Sequence, residues 1–294
     1  MKVVMPRRQG GFAMLTFVIV VSALALSLVA GYSSLFARKQ LNQVADIQRT
    51  YLDEARAQVL STYRKLSTDP AASPSADLTY TQYAGGTDVW SWTRQPQKWG
   101  AQAIISNRLV TSEGLYYRKV ALWIPTETDA GNPPAVAKFV TTGVFDSCTT
   151  SGAACDTRQF LVVDTQDIEK ELFARSTARL TNIVQKSQAY FKARLLQDPE
   201  RNVSVNYFRD PYGSCTKLPN DIGCINSYTA LSAIDIGATL NLSPEEQVNA
   251  WGGAVTVVNA GPDAETTDAP FSISFQTCLP YGGKCVRMLA VQQL

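Results

Sequence analysis

Six cysteines are the residues of this sequence best suited to covalent chemistry, and they occur as three pairs. The pairs have six or eight residues between their members: Cys148 and Cys155, Cys215 and Cys224, and Cys278 and Cys285. Six cysteines allow about 15 connectivities, but the short separations favour three local disulfides, each closing a turn. A zinc site is the alternative, and it is weakened because the sequence has no Cys-x-x-Cys pair and no histidine. Local disulfides indicate a protein that works outside the cytoplasm.

Few other residue types in this chain could carry out catalysis. Histidine is absent, which excludes histidine general bases, Ser-His and Cys-His nucleophile pairs, and imidazole metal sites. The sequence also contains no glycine-rich phosphate-binding loop and no Gly-x-Ser-x-Gly motif. We therefore expect no enzymatic activity and no cofactor.

One acidic group has the composition of a calcium ligand set. Asp263, Glu265 and Asp268 lie close together between two predicted strands. Their carboxylates could bind Ca²⁺ together with backbone carbonyl oxygens. A solvated polar loop is the simpler interpretation, and we expect no metal site elsewhere.

The charge balance argues against nucleic acid as a partner. Lys2, Arg7 and Arg8 fall in the first eleven residues, so the rest of the chain has 24 of the 27 basic side chains against all 25 acidic ones. No basic surplus remains for binding nucleic acid through bulk charge.

An uncharged run of 25 residues, Phe12 to Phe36, follows this short basic leader. Its first part, Phe12 to Ala30, is almost entirely apolar and as a helix would cover about 28 Å, close to a bilayer core of about 30 Å. The basic leader predicts a cytoplasmic N-terminus and a single crossing of the membrane. Three interpretations remain: a signal peptide cleaved near Ala25, a permanent signal anchor, or a segment processed at its cytoplasmic boundary.

The boundary itself, "RRQGGFAMLTFVIVV", resembles the type IV prepilin signal over Arg7 to Val20. The resemblance implies that a prepilin peptidase cleaves between Gly11 and Phe12 and leaves the whole apolar helix on the mature protein. It also implies that Phe12 becomes an N-methylated terminus.

The sequence departs from the family at the fifth mature position, where Thr16 replaces the usual glutamate. In the family that glutamate pairs with the terminal ammonium of a neighbouring subunit, because an unpaired charge in apolar surroundings is costly. Family members without it include subunits located at the filament tip. Thr16 therefore indicates either a tip position or a low-abundance subunit that does not need the glutamate.

The elements around these residues begin with one long helix. Beyond Phe36 apolar residues recur every three or four positions, which predicts that the helix continues to Leu66 and packs one face on a sheet. The stripe comprises Leu41, Val44, Tyr51, Leu52, Ala55, Val59, Tyr63 and Leu66. Prolines at positions 70 and 74 then predict a linker over 67–77.

A β-rich lobe is predicted over 78–164, inserted between the first helix and the C-terminal part. Its expected strands are Thr79–Tyr83, Val89–Thr93, Gly114–Ile124, Ala137–Phe145 and Arg158–Val163. We interpret its aromatic residues as core and cross-strand packing rather than a ligand platform. They are Trp90, Trp92, Trp99, Tyr116, Tyr117 and Trp123.

The region 165–294 is predicted to contain a second helix and a C-terminal sheet. The helix runs from Gln166 to Leu196, with Asp164 or Thr165 as its N-cap. Its first acids, Asp167, Glu169 and Glu171, favour the helix through its dipole and need no catalytic role.

Three strand-like runs end the chain: Trp251–Asn259, Phe271–Thr277 and Val286–Val291. We expect them to form an antiparallel three-stranded sheet. The "WGG" before a strand, the "FSISF" strand and the hairpin bounded by Cys278 and Cys285 are similar to the C-terminal sheet of type IVb pilins.

The expectation is therefore an α+β protein whose long N-terminal helix packs on antiparallel sheet. The resemblance implies a minor pilin or pseudopilin, held in the inner membrane by a single pass until it enters a type IV pilus or type II secretion-like filament outside the cytoplasm. Its partners would be other pilins along the N-terminal helix, the prepilin peptidase, an inner-membrane assembly platform and membrane lipid. The alternative is a membrane-anchored or secreted extracytoplasmic binding protein or enzyme.

Overall fold

The chain has the predicted α+β architecture, with a long N-terminal helix, antiparallel sheets and a second helix. The computed structural model describes residues 10–68, 90–126, 133–147, 159–197, 201, 236–258, 271–280 and 284–292. The chain divides into two compact units, residues 1–54 and 55–294. The predicted divisions into leader, linker and inserted lobe stay predictions.

Helix α1 spans Gly10–Thr68, which confirms the predicted long helix. Residues 10–54 of α1 form the described part of the first unit. In the second unit its remaining turns bury Ala55, Val59 and Tyr63. These side chains are spaced four residues apart and so lie on one helix face. The rest of the predicted linker, from residue 69 onward, lies outside the described residues.

The described part of 78–164 contains two small antiparallel sheets. One has the order β1-β4-β5, and the other pairs β2 with β3. The strands are β1 (Gln102–Ile105), β2 (Leu109–Val110), β3 (Tyr116–Tyr117), β4 (Lys119–Trp123) and β5 (Phe160–Asp164). The central strand β4 is almost wholly buried. The predicted strands Gly114–Ile124 and Arg158–Val163 correspond to β3, β4 and β5, whereas Thr79–Tyr83 lies outside the described residues.

The predicted strand Ala137–Phe145 is wrong, because this segment forms helix α2 (Val136–Thr142). Val136, Phe139 and Val140 pack into the core of the β1-β4-β5 sheet with the i, i+3, i+4 spacing of a helix face. Gly143 ends the helix in the left-handed conformation, at φ 67°, and its N–H donates to the Phe139 carbonyl.

The predicted strand Val89–Thr93 is also wrong. Ser91–Thr93 forms a short 3-10 helix, which the Thr93 hydroxyl stabilises by donating to the Trp90 carbonyl at 2.8 Å. Trp90, Trp92 and Trp123 are buried. The predicted core role is confirmed for these three tryptophans, whereas Tyr116 and Tyr117 are half-buried and Trp99 is exposed.

Helix α3 spans Gln166–Gln197, and both predicted capping residues act at its start. Asp164 Oδ1 accepts the Gln166 N–H at 2.8 Å, and the Thr165 carbonyl accepts the Glu169 N–H. The Thr165 hydroxyl accepts the Arg118 N–H and donates to the Arg118 carbonyl, which fixes the helix start beside β4.

The C-terminal sheet has the predicted three antiparallel strands, in the order β6-β7-β8. They are β6 (Thr256–Val257), β7 (Ser272–Cys278) and β8 (Cys285–Val291), and a short helix α4 (Ile236–Leu240) precedes them. One face of α3 packs on β7 and β8. The buried core of this contact comprises Leu180, Ile183, Phe191, Leu195, Leu242, Phe271, Ile273, Phe275 and Ala290. Each large apolar side chain buried here contributes about 1.5–3 kcal/mol relative to exposure.

The strand predicted from Trp251 is shorter than expected, because a turn occupies 249–253. The buried Asn249 side chain accepts the N–H groups of Trp251 and Gly253 at 2.9 and 2.8 Å. Gly252 has a φ of 82°, which the absence of a side chain permits. Asn249 Nδ2 donates to the Thr277 hydroxyl at 2.9 Å and so attaches this turn to β7.

The predicted disulfide between Cys278 and Cys285 is present and joins paired positions at one end of β7 and β8. Such a link contributes stability chiefly by restricting the unfolded chain. The other four cysteines, Cys148, Cys155, Cys215 and Cys224, lie outside the described residues.

Candidate assembly surface and a buried carboxylate cluster

The predicted processing junction lies at the start of α1. Gly11 and Phe12 fall in its first turn, and Thr16 is exposed on the following turn. The uncharged run from Phe12 to Phe36 therefore lies within this one helix.

Residues 14–36 of α1, termed the apolar segment, expose every large hydrophobic side chain that they contain. The exposed fractions run from 47% at Val21 to 76% at Tyr32. The members are Met14, Leu15, Phe17, Val18, Ile19, Val20, Val21, Leu24, Leu26, Leu28, Val29, Tyr32, Leu35 and Phe36. Contiguous apolar surface of this extent marks contact with lipid or with other protein.

The polar side chains of the apolar segment are compatible with an apolar environment. Ser27, Ser33 and Ser34 each donate to the carbonyl oxygen three residues earlier in the helix, at 2.8, 2.9 and 2.8 Å. Backbone groups within a helix are paired in the same way, internally. The helix is long and apolar enough to cross a membrane.

A buried carboxylate holds the last turns of α1 in the second unit. Glu169, near the start of α3, is 6% exposed. Its Oε1 accepts the Tyr63 hydroxyl at 2.8 Å, and its Oε2 accepts the Trp251 indole N–H at 2.9 Å. Ser67 also donates to this carboxylate. We term Tyr63, Ser67, Glu169 and Trp251 the Glu169 cluster, which connects α1, α3 and the 249–253 turn.

Burial determines the electrostatics of the Glu169 cluster. Desolvation raises the pKa of Glu169 above its ordinary value, and the hydrogen bonds from Tyr63, Trp251 and Ser67 oppose part of this effect. All three donors are neutral, so they stabilise the carboxylate without cancelling its charge. The exposed ion pairs nearby, from Glu171 to Arg64 and to Arg175, each at 2.5 Å, contribute little to stability.

Polar side chains along α3 hold the segment before β6. The Ser176 hydroxyl accepts the Ala250 N–H at 2.9 Å. Arg179 donates to the Val248 and Asn249 carbonyls at 3.0 and 3.1 Å. These contacts position Trp251, and therefore its indole N–H, against Glu169.

Glu246 provides a third polar contact between α3 and the segment before β6. Its Oε1 accepts Asn182 Nδ2 and Lys186 Nζ, both at 2.8 Å, and its Oε2 accepts the Ser243 N–H at 2.8 Å. The hydrogen bond from Lys186 is the main reason that the pKa of Glu246 falls to about 2.

This lowered pKa predicts a specific acid sensitivity. Glu246 stabilises the fold fully above about pH 4.5, and that stability is lost as the pH falls from about 4.5 to about 2. Urea unfolding over this range should show a weaker acid dependence for Glu246→Gln than for the native chain. Glu245→Gln makes the same change of charge at an exposed neighbour and should keep the native dependence. Equal acid dependence in all three proteins would refute the role of Glu246.

Sequence reasoning did not identify the Glu169 cluster. Glu169 lies in the first turn of α3, where its predicted interaction with the helix dipole applies, and its side chain is in addition buried among three donors. One signal was available: Glu169 lies three residues before Leu172 and seven before Ser176, on the stripe that α3 buries. Its partners Tyr63 and Trp251 are far away in sequence and gave no such signal.

The structure does not bring together a metal site in the part of the chain that it describes. No group of three or more Cys, Asp or Glu residues there could hold an ion. The calcium candidates Asp263, Glu265 and Asp268 lie outside the described residues. Comparison with known proteins found no matching family model, no matching curated protein and no matching solved structure.

Proposed function

We propose that this chain is a pilin-like structural subunit, a minor pilin or pseudopilin that a prepilin peptidase cleaves between Gly11 and Phe12. The observation that carries the proposal is the exposed apolar segment of α1, which begins three residues after this junction. A basic leader, a Gly-Phe boundary and an uncharged exposed helix occur in the order that processing and assembly require.

The apolar segment would act by exchanging one apolar environment for another. Before assembly it lies in the inner membrane, with the basic leader on the cytoplasmic side. During assembly, lipid is replaced by the helices of neighbouring subunits, and van der Waals packing replaces the lipid contacts. An assembly platform in the inner membrane would deliver the subunit to a type IV pilus or a type II secretion-like filament.

The Cys278–Cys285 disulfide agrees with this topology. Disulfides persist in oxidising compartments, and the second unit would lie on the extracytoplasmic side of the membrane. The bridge fixes the end of the β7-β8 hairpin, so the C-terminal sheet would enter the filament already folded.

The identity of the mature terminus tests the proposal. Intact-mass and fragment analysis of the protein from its native membrane should find Phe12 as the first residue, carrying a methyl group on its amine. A chain that begins at Met1, or near residue 26, would refute prepilin processing. Either of those results would favour the alternative of an anchored or secreted binding protein or enzyme.

Thr16 is expected to determine where the subunit is used. Thr16→Glu should still insert in the membrane, but its abundance or position in filaments should change, because the new carboxylate can pair with a terminal amine of another subunit. Thr16→Gln introduces a side chain of nearly the same size as glutamate but without its charge, so this variant should be distributed like the native chain. Counting labelled subunits along isolated filaments measures both effects. Native distribution of Thr16→Glu would contradict a tip assignment.

A further inference from the structure

We propose that Glu169 is a proton-dependent tether, which holds the last turns of α1 against α3 and the 249–253 turn more firmly when it is protonated than when it is charged. The proposal concerns the second unit alone. It stands whether or not the chain assembles into a filament.

The geometry places Glu169 where these three segments meet. Tyr63 and Ser67 on α1 and Trp251 in the turn all donate to one carboxylate that α3 supplies. Since Glu169 is 6% exposed, opening this contact would move the carboxylate from a buried site into water. The cost of opening therefore depends on whether the carboxyl group is charged.

Both protonation states can satisfy the hydrogen bonds of the Glu169 cluster. The carboxylate accepts from all three donors. The indole of Trp251 can only donate, so the unprotonated oxygen of the neutral acid must continue to face it. The hydroxyls of Tyr63 and Ser67 can also accept, so the acid proton can be donated to one of them. Protonation thus removes a buried charge without leaving the Trp251 indole unpaired.

The surrounding charged groups are directed to other partners. On α1, Arg64 pairs with Glu171, and on α3 Arg175 pairs with the same residue. Arg118, beside the start of α3, donates to the Ser106 carbonyl at 2.8 Å. Arg179 donates to the carbonyls of the segment that leads into the turn.

The direction of the pH effect follows from linkage. Burial raises the pKa of Glu169 in the closed state, and opening returns the carboxyl group to water and to its ordinary pKa. The closed state therefore binds more protons between these two pKa values, so closure is strongest below the ordinary value and weakens as the pH rises through the raised one. One proton linked to opening changes the opening equilibrium constant by up to about tenfold per pH unit in that range.

Hydrogen exchange of the full-length protein in detergent tests the tether. Exchange in residues 55–68 should be measured from pH 4 to pH 8 and corrected for the intrinsic pH dependence of amide exchange. In the native chain the corrected opening constant should rise with pH. In Glu169→Gln the corrected opening constant should not change with pH, because the glutamine side chain does not titrate. Its amide oxygen can accept from Trp251 and its amide nitrogen can donate to the Tyr63 hydroxyl, so the contact itself can be kept.

Two further variants distinguish a tether from a purely structural contact. Glu171→Gln removes an exposed carboxylate two residues along α3 and should retain the native pH dependence. Tyr63→Phe removes one donor that stabilises the charged carboxylate, so the pKa of Glu169 in the closed state should rise further. The increase of the opening constant should then extend to higher pH, and the pH at the midpoint of that increase should be higher than in the native chain.

Several results would overturn the proposal. They are a native opening constant that does not change with pH, a Glu169→Gln protein with the native pH dependence, and a Tyr63→Phe protein with an unmoved midpoint. If Glu169→Gln fails to fold, the Tyr63→Phe midpoint alone decides the question.

Discussion

The Gly11→Val variant should accumulate as an unprocessed chain that keeps its first eleven residues, whereas the native chain should begin at Phe12. Gly11 has no side chain, so its backbone can approach a peptidase closely and adopt conformations that a β-branched residue cannot. Valine at this position should therefore block cleavage almost completely. Intact-mass measurement on membrane fractions distinguishes the two forms directly, and unprocessed chain should be absent from sheared filaments.

Gly10→Val is the matched control for this result. It introduces the same side chain one residue earlier, before the glycine that precedes the cut, and should still yield a chain that begins at Phe12. Normal processing of Gly11→Val would refute a prepilin peptidase as the processing enzyme. Equal loss of processing in both variants would show only that the junction tolerates no valine, so Gly11→Ala should then be compared with Gly10→Ala.

The second prediction with a large expected effect concerns the insertion of the apolar segment into the membrane. Leu24→Arg places a charge in the apolar segment, where Arg near the centre of a membrane helix costs about 2.5–3.5 kcal/mol. Because about 1.4 kcal/mol corresponds to a factor of ten, we expect roughly a hundredfold shift away from the inserted state. Carbonate extraction of membranes should release this variant or show its degradation.

Leu41→Arg provides the comparison, since Leu24 and Leu41 lie on the same helix and are 58% and 69% exposed. Leu41 follows Arg38 and Lys39 and lies beyond the apolar segment, so an added arginine there should leave membrane retention unchanged. Equal retention of both variants would contradict a membrane role for the apolar segment. Equal loss of both would indicate a general effect of arginine on the helix.

The elements that could be predicted from the sequence are those with a long, regular apolar period. Helices α1 and α3 extend over many turns, so their repeat outweighs local irregularities. Strands β7 and β8 were predictable because a pair of cysteines bounds their turn. For α3, Asp164 and Thr165 also marked the start, since short polar side chains favour an N-cap.

The predictions of shorter elements were wrong where tertiary contacts determine the local structure. The segment that forms α2 contains valines and threonines that suit a strand, but Phe139 and Val140 are both buried against the same sheet, which only a helix allows here. The strand predicted from Trp251 is interrupted because Asn249 accepts two backbone N–H groups that a sheet would otherwise use. Neither contact can be read from a local pattern.

The apolar segment and the Glu169 cluster also differed in how far the sequence could predict them. The apolar segment could be predicted because its composition alone defines it. The Glu169 cluster could not, because it depends on three segments that fold together, and a glutamate in a first helical turn has a sufficient local explanation.

The hydroxyls of Ser27, Ser33 and Ser34 have a consequence for reversibility. Each hydroxyl is already bonded to a carbonyl of its own helix, so these three serines need no hydrogen-bond partner from the environment around the apolar segment. Moving the helix from lipid to a protein bundle, or back again, would then break no hydrogen bond of these serines. If the chain enters an assembly as proposed, leaving that assembly would cost these three hydroxyls no more than entering it.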